Sequence, residues 1–325
     1  MDVLCAGSWM VDIVAPHLPA ITPPGGLIYA PRGISVNIGG HAANVSIDLT
    51  QLGQIGVAST GCVGSDMLGD YVREMLRKAG VDPRPQILND TRTAKNIALT
   101  VEGEDRRFIA ELAANTLLSH DHVMGQLIDH PRILYLGTVG GLRHIDANLA
   151  EVLEVAHRVG ALTLVDVIQP TKPDWSHLNH ALPYIDILHL NTLEARLATG
   201  VDEPLGAAEV LQGKGVKTVV ITGGSKGLVA IHGEEKIRMP AFVVEEVDST
   251  GAGDALCAGL IHSLLNLREP SEATYSEFKD ALLEGQAAGA ACVTAPGATT
   301  AVTANNVKRL ILEQGAGILS STSSL

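Results

Sequence analysis

The sequence predicts an α/β fold, a mostly parallel sheet covered by helices, and three observations carry that expectation. Short apolar runs alternate with helical patterns through most of the 325 residues, as in a sheet wound through helices. A hydrophobic share of 46% supplies a large core, with only 18% of residues charged. Glycine-rich turns stand where apolar runs give way to helical patterns, as strand-to-helix junctions require.

Taken in order, the apolar runs Val3 to Ala6, Gly56 to Val63, Ile133 to Leu136, Leu162 to Val165, Ile185 to Leu190 and Thr218 to Thr222 read as strands. Between and after them, Ala42 to Leu52, Leu68 to Ala79, Asn148 to Arg158, Leu193 to Thr199, Ala207 to Gly213, Asp254 to Leu267, Tyr275 to Thr294 and Asn305 to Gln314 read as helices. Two stretches break the rhythm: Val11 to Ile38, rich in proline and glycine, and Thr93 to Glu111, which reads as a hairpin turning through Glu102 to Asp105. They are expected to form a small β-rich lid, residues 13–38 and 93–111, inserted in a core of residues 1–12, 39–92 and 112–325. Such a lid can close over a ligand and exclude water. The tail, Gly315 to Leu325, is small and polar and reads as frayed.

Composition excludes several function classes. Aromatics make up 3% of the chain, so stacking platforms for bases are scarce, and the formal net charge of −13 also argues against a nucleic-acid partner. The four cysteines are far apart in apolar stretches and read as buried, reduced thiols. The chain opens directly on a strand-like run, and no apolar run approaches the ~20 residues of a membrane span; the expectation is a cytoplasmic protein with no membrane partner.

The most informative stretch is Val247-Asp248-Ser249-Thr250-Gly251-Ala252-Gly253-Asp254, where small residues and two acids lead into a helical pattern. A helix start offers unpaired amides and a positive dipole end to an anion, and Gly251 and Gly253 let the backbone come close to it. Asp254 supplies a base at the same place, or merely a first-turn acid favoured by the dipole. Gly39-Gly40-His41-Ala42-Ala43-Asn44 opens another helix, with Asn44 able to meet hydroxyl groups or simply to sit at a junction. Asp12 ends the first apolar run, at the edge where open α/β sheets bind ligands. Asn191 and Glu194 have capping-box spacing. Thr222-Gly223-Gly224-Ser225-Lys226-Gly227 either wraps phosphates or makes a hairpin.

In order and separation these elements, together with Gly61-Cys62-Val63-Gly64-Ser65-Asp66, resemble the ribokinase-like (PfkB) carbohydrate kinases along nearly the whole chain. The resemblance implies a three-layer αβα core with a β-rich lid that is also a homodimer contact. It implies Asp254 as catalytic base and Gly251, Ala252 and Gly253 as anion hole. It implies Asp12, Gly39, Gly40, His41 and Asn44 on the sugar, and Asn191, Glu194, Thr222, Gly224, Ser225 and Gly227 on ATP and Mg²⁺. A K⁺ site at Asp248, Thr250 and Gly297, helped by Cys292 and Ala295, is implied as well, although Ala301 lacks the hydroxyl that cation-activated relatives place near it.

The expected activity is therefore transfer of the γ-phosphoryl of ATP to a hydroxyl of a small sugar, sugar acid or nucleoside. His41 and Met10 replace the lysine and asparagine of ribose-specific members. His41 either donates to the substrate or packs at the helix start. Of Arg106 and Arg107, adjacent in the hairpin, at most one can face the site, where it would favour an acidic sugar. Trp9 is the stacking candidate for a nucleoside base, or a core residue. His120 and His122 lack a third metal ligand. A non-catalytic sensor of the same fold would be expected to lose the base or the glycines.

Overall fold

A computed structural model describes residues 1–104, 107–170 and 174–324. Its central sheet has ten strands in the order Ser323–Ser324, Glu235–Met239, Leu228–His232, Thr218–Thr222, Ile187–Asn191, Leu162–Val167, Ile133–Val139, Val3–Ala6, Val57–Thr60 and Asp82–Pro83. From Thr218–Thr222 to Asp82–Pro83 every pair is parallel. The other three pairings are antiparallel. The parallel strands are buried along almost their whole length, as expected of a sheet covered on both faces.

One face packs on α1 (His41–Leu52), α2 (Ala252–Leu265) and α3 (Tyr275–Cys292), and the other on helices that include Leu149–Arg158 and Pro204–Gly213. Helix α2 is apolar all round, consistent with nine buried residues in its fourteen. Glycines let it nest against α3: a methyl group on Gly259 would lie 2.7 Å from Glu284 O and 2.9 Å from Ala288 Cβ.

A second, separate sheet has the order Ser35–Gly39, Met10–Leu18, Lys95–Val101, Arg107–Glu111. The strand that carries Asp12 begins at Met10, so Asp12 belongs to this small sheet. It does not end the first core strand, which stops at Ala6. Ser8 and Trp9 make the break, held by Trp9 N donating to Asn115 Oδ1 and Trp9 Nε1 donating to Ser59 Oγ, both at 3.0 Å. Trp9 is fully buried against Gly61, where a methyl group would lie 2.5 Å from its ring, so it is a core residue and offers no stacking platform.

Other expectations need correction. The single strand Gly56 to Val63 is two: Val57–Thr60 in the core sheet and Cys62–Gly64 paired with Gln86–Leu88. The expected alternation ends at Thr222, after which the chain makes an antiparallel meander that short apolar runs alone do not distinguish from parallel strands. The tail is ordered: after Ala304–Leu310 the chain continues through a wide turn into the helix Ala316–Ser321, buries Ile318, and pairs Ser323 with Arg238. Among the described residues no helix is long and apolar enough to cross a membrane.

Candidate active site

The carboxyl ends of neighbouring parallel strands bring the polar groups together. Asp166 and His189 are register partners on adjacent strands, as are Asn191 and Thr222. His189 Nδ1 lies 2.9 Å from Asp166 Oδ1, and its Nε2 lies 3.2 Å from Thr222 Oγ1. Tyr135 donates its hydroxyl to Asp166 Oδ2 at 3.0 Å. His41, the first residue of α1, sets Nδ1 at 3.2 Å from the same oxygen and 3.4 Å from Asp254 Oδ1. Asn44, one turn along α1, donates Nδ2 to Asp254 Oδ2 at 2.8 Å. The result is one buried path of contacts, Asn44 to Asp254 to His41 to Asp166 to His189 to Thr222, crossing from the start of α1 to the Gly223–Gly227 turn.

Two glycines make this approach sterically possible. A methyl group on Gly137 would lie 2.6 Å from His41 Cβ and 2.7 Å from the Tyr135 hydroxyl. Gly251, the residue before α2, takes φ +82°, and a methyl group there would meet Ala298 Cβ at 2.5 Å. Beyond it lies a first turn whose amides have no intrahelical acceptor, although the Ala252 amide closes a long 3.4 Å bond to Ser249 O.

Burial and charge set the ionisation. Burial disfavours the charged form of His41, but Asp254, Asp166 and Glu194 outweigh it and raise the imidazolium to about 10. Burial likewise opposes charge on His189, and Asp166, Glu194 and Asp254 again prevail and raise it. Asp166, although buried, is held well below the usual carboxylate range by the two histidines. Asp254 is raised, first by burial and then by Asp166, against the lowering effect of His41 and Asn44. A carboxylate held ionised between two histidines that keep their protons more tightly than usual therefore stands behind a carboxyl that binds protons more readily than usual.

The remaining expected residues fall around this path. Thr222, Gly224, Ser225 and Gly227 line a cleft of about 210 Å³ together with Ala252, Gly253 and α3 residues that include Gly289 and Val293. The turn is a hairpin connection between Thr218–Thr222 and Leu228–His232, so its hairpin and cleft-lining readings both apply. Asn191 and Glu194 form a reciprocal capping box, with bonds of 2.8 and 2.9 Å. On the small sheet Asp12 is flanked in register by Asn37 and Asn96. Its carboxyl is raised by burial and by Asp248, and lowered by its bond to Asn96. Gly39 and Gly40 leave space for Asp12 and for Ser8, whose Oγ accepts the His41 amide at 3.1 Å.

Asp248 is occupied in joining two loops: Oδ1 accepts the Thr250 amide at 3.0 Å and Oδ2 the Gly297 amide at 3.1 Å. Arg107 lies on the strand register shared with Leu99, on the face opposite Asp12, and pairs with Glu104. Arg106 lies outside the described residues.

Sequence reasoning missed Asp166, His189 and Tyr135. A signal existed: each interrupts an apolar strand at a position pointing to the same face. A polar residue buried in a parallel strand requires a partner.

The sequence model for pfkB family carbohydrate kinases matches residues 1–305. The chain belongs to that family. A ribokinase from Haemophilus influenzae is 26% identical over 295 residues, 88% of this chain and 90% of that protein. A probable fructokinase from Arabidopsis thaliana is 28% identical over 316 residues, 92% of this chain and 89% of that one. Among solved structures, a ribokinase-type kinase from E. coli in complex with ATP and Mg²⁺ superposes with a TM-score of 0.79 at 23% identity, covering 96% of this chain and 99% of that chain. As a pfkB family member the protein is a phosphotransferase of the sugar and nucleoside kinase class, with a ribokinase fold.

Proposed function

We propose that the protein transfers the γ-phosphoryl of ATP to a hydroxyl of a small sugar or sugar derivative, with Asp254 as the base. The observation that carries this reading is the position of Asp254: it sits in the first turn of α2, beside the Gly251–Gly253 backbone, held by Asn44 and adjoining the Thr222–Gly227 cleft. In a loose phosphoryl-transfer transition state, alignment and charge stabilisation matter most, and a carboxylate base suffices. Asn44 fixes one carboxylate oxygen and leaves Asp254 Oδ1 to receive the acceptor's proton. The Gly251–Gly253 turn meets the charge that grows on the transferred group.

Support for a hydroxyl-rich acceptor comes from which atoms lack partners. Among the described residues Asn44 Oδ1, Asn96 Oδ1 and Asp254 Oδ1 are buried without a hydrogen-bond partner. All three are acceptor atoms, matched by a ligand rich in O–H donors. With Trp9 in the core, the nucleoside reading loses its main supporting residue. Glu194 keeps Oε1 clear of its capping bond and fits a magnesium ion through water; Mg²⁺ would neutralise phosphate charge. The small sheet acts as the lid. On its other face Val36, Ile13, Ile97 and Ile109 are in register in one row, with Val36, Ile97 and Ile109 exposed, which fits a homodimer contact.

The test is Asp254→Asn with a panel of ribose, fructose, ketodeoxygluconate, inosine and adenosine. A folded variant that binds ATP normally by calorimetry should lose about 10²–10⁴-fold in kcat. Near-wild-type turnover would refute the base role, and no turnover by the wild type on any of the five, with no ATP binding, would refute the kinase reading.

A further inference from the structure

Cys257 is a nucleophilic, metal-ligating group that the proposed reaction does not use. It lies on α2 one turn beyond Asp254 and is a free, fully buried thiol. Asp166 and His189, also buried, stand beside it: a carboxylate oxygen, a ring nitrogen and the Cys257 sulfur all lie within 4.8 Å of one another. Oxygen, nitrogen and sulfur donors gathered in one dry place are the ligand set of a thiophilic divalent cation.

The neighbouring hydrogen bonds already orient these ligands. The Thr222 hydroxyl donates to Leu190 O at 3.4 Å, so it accepts from His189 Nε2 at 3.2 Å. That bond keeps a proton on Nε2 and aims Nδ1 at Asp166 Oδ1, 2.9 Å away. Tyr135 and His41 meet the other Asp166 oxygen, Oδ2, which leaves Oδ1 to His189. A ligating histidine held through its second nitrogen, and a ligating carboxylate itself hydrogen-bonded, are the outer contacts that metal sites use. Around a tetrahedral Zn²⁺ such ligand atoms stand roughly 3.3–3.7 Å apart, so shifts of about an ångström complete the geometry. Charge agrees as well: a carboxylate and a thiolate cancel a divalent ion, and no net charge is left in the interior. His41, Asp166 and Asp254 form a second group of the same kind that shares Asp166, and the His41 side chain is 26% exposed, which gives an ion a way in.

We propose that Asp166, His189 and Cys257 form an inhibitory site for a thiophilic divalent cation of the Zn²⁺ type. On binding, metal–oxygen, metal–nitrogen and metal–sulfur bonds form, the protons of His189 Nδ1 and the Cys257 thiol pass to solvent, and no electron changes hands. Asp166 then serves the ion in place of the two histidines, and the buried path from Asp254 to Thr222 is broken at its centre. Mg²⁺, which prefers six oxygen ligands, does not compete for this site. The inhibition rests on the kinase reading, whereas the binding does not.

The experiment reads binding first and turnover second. The whole, untagged protein is titrated with Co²⁺ in the presence of excess Mg²⁺, and thiolate-to-cobalt charge-transfer absorption is followed; Zn²⁺ is then added to displace the cobalt. Wild type should show the band at equimolar Co²⁺ and lose it to equimolar Zn²⁺. Cys257→Ser and Cys257→Ala, checked for folding by circular dichroism, should show no band. A wild type without the band would overturn the site whatever the variants do, and a band that persists in both variants would overturn the assignment to Cys257. On the acceptor that wild type phosphorylates, equimolar Zn²⁺ should abolish most of its turnover and leave that of the Cys257 variants unchanged. Full turnover by the Zn²⁺-loaded wild type would overturn the inhibitory role. A protein that turns over no acceptor but still shows the band would sink the kinase reading and leave the metal site standing.

Discussion

Asp166→Asn tests the buried charge arrangement most directly. Asp166 is the acceptor common to His41, His189 and Tyr135, and its side chain is 4% exposed. At 3.2 Å and an effective dielectric of about 20, its attraction for the His41 imidazolium is worth about 5 kcal/mol. The rise of His41 from its ordinary 6.5 to about 10 corresponds to a similar energy, roughly 5 kcal/mol. Removing this one charge should therefore lower the rise, although Asp254, the largest single raising influence, stays in place.

The pH window follows from the direction of the shift. His41 binds its proton more tightly in the folded protein, so its contribution to stability is full below 6.5 and is lost as pH rises through about 10. In wild type the unfolding midpoint should fall across that window and kcat/KM should decline near its upper end, as Asp254 loses its cationic neighbour. In Asp166→Asn both limbs should move toward neutral pH. The variant should also be less stable at pH 7 by about 3–5 kcal/mol, because two histidines lose the buried carboxylate they bond to. The assays are differential scanning fluorimetry and steady-state kinetics from pH 6 to 10.5. Alkaline limbs unchanged in both would refute the argument.

Three further outcomes follow from single contacts. Asp12→Ala should raise the acceptor KM at least 10-fold and change kcat little, since Asp12 lies on the lid sheet between Asn37 and Asn96, away from the phosphoryl path; a kcat-only effect would contradict this. Gly251→Ala should destabilise the fold by about 2–5 kcal/mol in chemical denaturation, combining a residue forced to φ +82° with a methyl group 2.5 Å from Ala298 Cβ. Deleting residues 316–325 should cost about 2–4 kcal/mol through loss of buried Ile318, whereas a frayed tail would cost nothing measurable.

The parallel part of the sheet was legible because buried parallel strands are near-continuous apolar runs and their helices have a different period. Val3–Ala6 and Thr218–Thr222 are found at their expected bounds. The failures have physical causes. Gly61 ends a strand in mid-run because the Trp9 ring occupies the space where a side chain would stand, a tertiary contact that leaves no local mark. The polar tail is ordered by docking Ile318 and by pairing with Arg238, again by packing that composition does not reveal. Asp12 moved sheets because an apolar run from Val3 to Val11 has no visible break at Ser8 and Trp9.

The candidate site was legible in a different way. Glycines and acids at helix starts mark where a ligand is approached, and Gly251, Asp254, Asn44 and the Thr222–Gly227 turn do lie around one cleft and one buried path. What the sequence obscured is the part that sets ionisation, because Asp166, His189 and Asp48 lie inside elements, where one polar letter among apolar ones looks like noise. The energetics argue the reverse. In a turn an acid is solvated and can be tolerated without a function, but in a covered strand or a helix seam it must be matched by charge, proton or ion. Asp166 is matched by two histidines, whereas neither oxygen of Asp48 has a hydrogen-bond partner among the described residues. That difference makes the two positions respond differently to the same substitution in chemical denaturation: Asp→Asn at 166 should destabilise the protein, whereas at 48 it should cost little or stabilise, since it removes only an unpartnered buried carboxyl.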